Sequence, residues 1–550
     1  MKTNNKYYAL TFTCLALMSC SAMDEMVPEG SVVTQDQVVS TNEAVPDRVS
    51  ADLAGVYTYA CQQYTVTGTQ AADCDYGYPS LCLSQDLNGP DMVCDNSGYH
   101  WFAPSSDYTD RQVNYIIAYQ RYAVPYNQLK LANDVLASID LETATGELRY
   151  FAGQAKAIRA FDYLALAPYF QFSYQTHKDA PCVPIVTEDT PDYANNGRAT
   201  VEQVYTQIIT DLTDAISLLE GFDRGTDKSK IDQQVAYGLR ARAYLYMGLY
   251  AEAAADAEKA LAGYTPYSIA EVSTPAFCKI TDHNWMWGIL IEPDNITGNG
   301  GYPSWPSHLC SFGSVSYTAN TGVYKRINTL LYNQIPDTDV RKGWWIDANL
   351  DSPLLETISW NGVSGRDIST LQIPNTKTAF PAYTVVKFGM EAGVGSTDSS
   401  SDWPLMRAEE MILTQAEGLV MSGQAGQGKQ VLENFVKTYR DPQYVCEASS
   451  AEDLQTEIWK QRRIELWGEG FSMADIMRLN KPVVRIQGNE TANWPDAYAF
   501  NVAAGDEYFL LRFPQGETNT NLAVSPEQNN NGGSVPQPGQ NSDLRDGVTN

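Results

Sequence analysis

The sequence predicts a mainly α-helical fold, and three observations carry that expectation. Stretches on either side of the centre place apolar residues at helical spacing. The clearest is Glu147 to Phe170, where Ala155, Ile158, Ala160, Phe161 and Leu164 supply packing residues. Ile231 to Met247 and Tyr250 to Leu261 read as a helix pair around Gly248, with Ala241, Ala243, Ala253, Ala257 and Ala260 small enough for close approach. Residues 265–400 then lose the helical period and carry Trp285, Trp287, Trp305, Trp344, Trp345 and Trp360 among Gly, Pro, Asn and Ser. The expected architecture is a tetratricopeptide-like helical scaffold with degenerate repeats, and a loop-rich, irregular part containing short strands.

Taken in order, the chain opens with Lys2 and Lys6 before an apolar run from Tyr7 to Leu17. The run is too short to span a membrane and has the shape of an export signal. Leu17-Met18-Ser19-Cys20 closes it as a bacterial lipobox would, which predicts removal of residues 1–19 and lipidation of Cys20. Residues 20–40 read as the lipidated cysteine and its tether, and residues 41–524 as one domain. The Asn-, Gly- and Pro-rich residues 525–550 are expected to be disordered, at least in part.

Within the domain, Ala44 to Tyr64 has a helical pattern. Residues 65–108 are rich in Gly, Asp, Asn, Tyr and Cys and read as a long loop, a kind that is usually functional. Arg111 to Ile139 is helical, bent or broken at Pro125. Thr200 and Gln203 form a capping box opening the helix to Leu219. Met286–Ile291 and Tyr383–Phe388 are expected strands, and Arg407–Met421 and Gln430–Tyr439 expected helices. In Ile458 to Leu479, Ile458, Ile464, Leu466 and Trp467 form an apolar face before Gly468 and Gly470 interrupt it. Buried charges need partners, so Arg462, Glu465, Glu469, Asp475 and Arg478 are expected to join an internal ion-pair network.

The charge balance is acidic, 66 Asp+Glu against 37 Lys+Arg, a formal −29. That argues against nucleic acid as a partner, since nucleic acid needs a basic face. Of the ten cysteines, Cys74, Cys82 and Cys94 share the first loop and are the expected candidates for bridging. The four histidines are scattered without metal-ligand spacing. Gly423 to Lys429 imitates a phosphate loop. Gln430, however, stands where Ser or Thr would bind magnesium, and a helix precedes it, so it reads as a turn between helices. Asp294, Asn295, Thr297 and Asn299 form an oxygen-rich surface turn. No hydrolase, zincin or kinase signature occurs, and neither cofactor nor metal is expected.

Ile458 to Leu479 resembles the signature of the SusD/RagB family, which runs approximately E-R-x-x-E-L-x-x-E-G-x-R-x-x-D-x-x-R. Arg462, Glu465, Leu466, Glu469, Gly470, Asp475 and Arg478 match; Gln461 and Ser472 depart. Tyr126, Leu129, Asn133 and Leu136, the Gly153 to Tyr163 run, Asp339 with Arg341, and Arg407 with Glu410 and Glu417 resemble further family segments. The resemblance implies a SusD-like, non-enzymatic lipoprotein on the outer face of the outer membrane. Such a protein captures oligosaccharides and delivers them to a TonB-dependent, SusC-like transporter. Peptide cargo, as in some relatives, and glycoside hydrolysis are the alternatives. The candidate ligand-binding residues lie in the two loop-rich insertions, 65–108 and 290–320. They are Asp91, Tyr99 and Trp101 in the first, and Tyr302 and Trp305 in the second, with Tyr317 nearby. Aromatic rings would stack on sugar faces and polar side chains would bond hydroxyls. The family's starch-binding member uses loop aromatics in this way, and its first-loop tryptophan makes Trp101 the leading candidate.

Overall fold

The computed structural model describes residues 33–549, apart from 69–70, 97–100, 361, 371–378 and 489–491. The leader, Cys20, most of the tether and the candidate Tyr99 lie outside the described residues.

The helices that build the body are α1 (Gln35–Ala44), α2 (Asp47–Tyr59), α3 (Tyr78–Asn88), α4 (Ile116–Ala137), α5 (Gly146–Leu164) and α6 (Val201–Leu218). After them come α7 (Gln233–Met247), α8 (Tyr250–Ala260), α9 (Ala408–Met421), α10 (Ala425–Tyr439), α11 (Ala451–Glu465) and α12 (Ser472–Arg478). From α4 on they stack in succession, α4 on α5, α5 on α6, α6 on α7, α7 on α8. The stack then crosses the irregular region: α8 packs on α9, and α9 on both α10 and α11. Residues 265–400 are thus an insertion hung from one uninterrupted helical scaffold.

Local chemistry explains most of the boundaries. Thr200 and Gln203 close the expected capping box on α6. Asp232 caps α7 by accepting from Val235 N–H, and Gly248 ends it in the left-handed region at φ +75°. The Gly-rich stretch at 423–429 is mostly the first two turns of α10. A Cβ on Gly428 would lie 2.6 Å from the Ala416 carbonyl oxygen of α9, so glycine there lets the helices touch. The tether ends earlier than expected, because Thr34 and Gln37 form a capping box that opens α1. Pro125 leaves α4 continuous.

Larger expectations are corrected too. Residues 65–108 are not one long loop: they contain α3 and β1 (Met92–Cys94), buried in the body. α3 has protein on nearly every side, so it shows no polar face. Its polar residues are paired internally, as Asn88 is with the Ser105 carbonyl (2.7 Å) and Asp110 (3.0 Å). Cys74, Cys82 and Cys94 form no bridge; burial pushes the Cys74 and Cys82 thiols up to about 12. Residues 525–549 pack on the body instead of trailing from it. Asp546 pairs with Arg463 at 2.7 Å. Asn530 Nδ2 donates to the carbonyls of Phe170 and Leu511, both at 2.8 Å. Asparagine here serves as a hydrogen-bonding group to neighbouring backbone.

The strands are short and pair antiparallel: β1 with β5 (Lys325–Ile327), β2 (Pro181–Pro184) with β3 (Arg198–Thr200), and β4 (Trp285–Ile289) with β6 (Trp403–Arg407). The expected strand at Tyr383–Phe388 is not a strand. Thr384, Val385 and Phe388 make single bridges to three different partners.

The charges of the 458–479 stretch are buried and paired in two separate networks. Glu465 meets Arg440 (2.8 Å), Arg341 (3.3 Å) and Arg407 (3.4 Å), and Glu469 meets Lys387 (2.6 Å) and Arg407 (2.7 Å). Burial alone would raise the Glu465 carboxyl, but the three guanidiniums outweigh it and hold it well below the usual carboxylate range. In the second network Asp475 bridges Arg462 (2.8 Å) and Arg478 (2.7 Å), and Arg478 continues to Glu417 (2.6 Å). Gly470, at φ +89°, lies against Cys82 of α3, where a Cβ would come within 2.6 Å. The stretch therefore ties α9, α11, α12 and α3 together.

Candidate functional site

Segments far apart in the sequence converge on the carboxylate of Asp73. Tyr64 donates its hydroxyl to Oδ1 at 2.9 Å. Tyr317 and Asn299 Nδ2 both donate to Oδ2, at 2.6 and 2.8 Å. Trp101 joins through Tyr317, its indole Nε1 donating to the phenol oxygen at 2.7 Å. Tyr302 meets Tyr317 edge to face, with ring centres 5.1 Å apart, and accepts from Asn320 Nδ2 at 2.9 Å.

The floor of this cluster is rigid. His308 is stacked between Tyr76 and Tyr317, at 5.5 and 4.7 Å, and its Nε2 donates to the Asp73 carbonyl at 2.9 Å. Burial and the nearby Lys325 ammonium hold its pKa well below the usual imidazole value, so it is neutral at physiological pH. Burial and the Asp73 bond push the Tyr317 phenol up, so it stays a donor. Gln63 fastens the rim: its Oε1 accepts from the N–H groups of Thr297 (3.1 Å) and Gly298 (2.7 Å), and its Nε2 donates to the Pro303 carbonyl (2.6 Å). Above the floor, Trp101 and Tyr302 are partly exposed and Asn299 is exposed, while Tyr317 and Asp73 are buried beneath them.

The structure thus brings Trp101 and Tyr302 into one patch and places the other candidates elsewhere. Trp305 is 2% exposed; its indole donates to the Ser401 carbonyl at 2.6 Å and packs edge to face on Trp403. No ring face is left for a ligand. Asp91 is buried in a bidentate bond with Arg463, 2.7 and 2.9 Å, and anchors β1 to α11. Both were placed in the site because they lie in aromatic-rich insertions; tertiary packing, invisible at that level, puts them in the core. Asp95 is held by Arg326. The residues that sequence reasoning missed are Asp73, Tyr64 and Asn320. Asp73 and Tyr317 are 244 positions apart, so no local pattern joins them. Among the described residues no group of three or more metal-ligating side chains is assembled.

The architecture is a stack of helix pairs that carries an aromatic patch on inserted loops. Comparison with known families agrees. The model described as "Starch-binding associating with outer membrane" matches residues 78–245, and the SusD family model matches residues 331–531. The chain belongs to the SusD/RagB family. No curated protein matches it. Among solved structures, a SusD-like carbohydrate-binding protein from Bacteroides vulgatus superposes with a TM-score of 0.69 at 24% identity, covering 88% of this chain and 97% of that one. A laminarin-binding SusD-like protein gives 0.58 at 18%, covering 90% and 99%. Surface glycan-binding protein A from Bacteroides thetaiotaomicron, solved with laminarihexaose, gives 0.62 at 16%, covering 88% and 99%. At these identities the likeness is one of fold.

Proposed function

We propose that this chain is a cell-surface glycan-binding lipoprotein, and that the patch of Trp101 and Tyr302 over Asp73 receives the sugar. The observation that carries the reading is the pairing of two partly exposed aromatic rings with a prebuilt polar floor. Rings supply the apolar platform that a sugar's C–H face needs, and Asn299 offers an amide to hydroxyls. The described structural relatives named for laminarin and laminarihexaose support the ligand class. The geometry favours binding over hydrolysis. Asp73 already accepts three hydrogen bonds and Asp95 is ion-paired, so neither is placed as a general acid. Trp101→Ala should weaken binding of the cognate oligosaccharide by roughly 1–3 kcal/mol, taking base–aromatic stacking as the guide. Titration calorimetry checks this, and unchanged affinity in a folded variant overturns the assignment.

The anchor and the partner rest on the family resemblance and on the lipobox-like Leu17 to Cys20. Cys20 carries the lipid, and the protein caps a TonB-dependent barrel to which it passes the glycan. Among the described residues no helix is long and apolar enough to cross a membrane. Cys20→Ala should leave the membrane fraction, and the wild-type protein should co-purify with a large barrel from solubilised outer membrane. A variant still lipidated, or repeated purification without a barrel, counts against this.

A further inference from the structure

A second cavity, of about 540 Å³, opens between α4, the segment around 184–196 and the segment 516–521. It shares no residue with the Trp101 patch. Its volume lies inside the range of roughly 300–1,000 Å³ usual for small-molecule sites. Four tyrosines shape it. Tyr119 and Tyr193, 43% and 56% exposed, stand at its mouth. Tyr122 and Tyr126 form its wall, with ring centres 4.5 Å apart.

The polar groups are fixed in place. Asn521 Nδ2 donates to Glu517 Oε1 at 2.8 Å and to the Asn196 carbonyl at 2.7 Å. Tyr126 donates to the Pro184 carbonyl at 2.6 Å. Burial first, and then the Glu517 carboxylate, push the Tyr122 phenol well up, so it remains a protonated donor facing that acid. Lys130, at the edge, is taken by Asp134 at 2.6 Å. The lining's cation is thus committed, which disfavours an anionic ligand, and the Glu517 carboxylate is engaged by the Asn521 amide and the Tyr122 phenol as an oriented acceptor. Rigid tyrosine faces with a carboxylate and amides beside them suit a ring with apolar faces and hydroxyl edges.

We propose that this tyrosine-lined cavity is a second ligand site, taking a neutral saccharide of one or two rings. It does not depend on the Trp101 patch, with which it shares no residue.

Titration of the purified full-length protein with neutral glucan, mannan and xylan oligosaccharides tests it, with three variants alongside the wild type: Trp101→Ala, the double variant Tyr119→Ala/Tyr193→Ala, and Thr520→Trp. The last places an indole at the cavity rim without removing a tyrosine. Both tyrosines and Thr520 are exposed, so folding should survive, and circular dichroism and a thermal melt verify it. The expected result is residual binding in Trp101→Ala that falls about tenfold or more when the tyrosine pair or Thr520→Trp is added, equivalent to ~1.4 kcal/mol. One equivalent bound by the wild type and abolished by Trp101→Ala overturns the cavity site and leaves the patch standing. Residual binding that ignores the tyrosine pair and Thr520→Trp also overturns the cavity site. Binding that survives Trp101→Ala unchanged but is lost in the cavity variants overturns the patch instead. Failure of the wild type to bind any probe overturns both.

Discussion

Asp86 is the residue whose chemistry is most at odds with its surroundings. It sits on α3, fully enclosed, and accepts from the N–H groups of Gly470 (3.0 Å) and Ser472 (3.2 Å), with no cationic partner at the carboxylate among the described residues. Burial outweighs the two hydrogen bonds and raises its pKa from 3.8 to about 7. The native state therefore holds this proton more tightly than the unfolded chain does. Its stabilising effect is complete below pH ~4 and is lost as pH rises toward 7, on the order of 2–4 kcal/mol at about 1.36 kcal/mol per unit. Asp86→Asn removes the titration while keeping an acceptor for one N–H. Its melting temperature relative to the wild type should be higher at pH 8 than at pH 5; a pH-independent difference would show that Asp86 does not titrate in this window. Nothing in Leu83-Ser84-Gln85-Asp86 marks that environment. The same limit applied to the tryptophans. Trp101 and Trp305 both sit in Gly-, Ser- and Pro-rich sequence, and only their neighbours, Tyr317 for one and Trp403 and Phe388 for the other, separate a patch residue from a core residue.

At the scale of elements, what was legible is what is local. The α6 capping box, the end of α7 at Gly248 and the alanine-rich α7–α8 pair follow from residues within one or two turns, and the structure has them within two residues of the expected bounds. Elements set by distant partners were not legible. α3 is surrounded by protein, so it lacks the two-faced pattern that reveals a helix. The segment 383–388 has β-rich composition, but its backbone groups find three partners instead of one ladder. The charged stretch shows both sides. Its own sequence marks Glu465 and Asp475 as needing counterions. Arg341, Lys387, Arg407 and Arg440, which answer Glu465 and Glu469, come from the insertion, β6 and the end of α10. Hence one network was expected where there are two.

At the scale of the molecule, the acidic balance of −29 is divided unevenly. Arg341, Arg407, Arg440, Arg462, Arg463 and Arg478 are buried in ion pairs, so part of the basic complement never faces solvent. Buried guanidiniums are tolerable only while each keeps its carboxylates. Arg463 shows how far this reaches along the chain: it is held on one side by Asp91 of the first insertion and on the other by Asp546, four residues from the C-terminus. Asp546 in turn accepts from the N–H groups of Val548 (2.7 Å) and Thr549 (2.8 Å), which folds the terminus back over it. Burial would raise the Asp546 carboxyl, but Arg463 and those amides lower it, so its contribution is present above pH ~4 and is lost as pH falls through the folded value. A disordered tail would make Asp546→Ala neutral, within about 0.5 kcal/mol, as surface changes usually are. The packed tail predicts otherwise. Asp546→Ala leaves Arg463 with Asp91 alone and should cost roughly 1–3 kcal/mol at pH 7, the penalty for a buried polar group that loses a partner. The cost should shrink as pH falls below ~4, where the unfolded chain takes up a proton that the native carboxylate still resists. Chemical denaturation of the two proteins at pH 7 and pH 3.5 measures it. Equal midpoints at pH 7 would mean that the C-terminal segment contributes nothing to the fold.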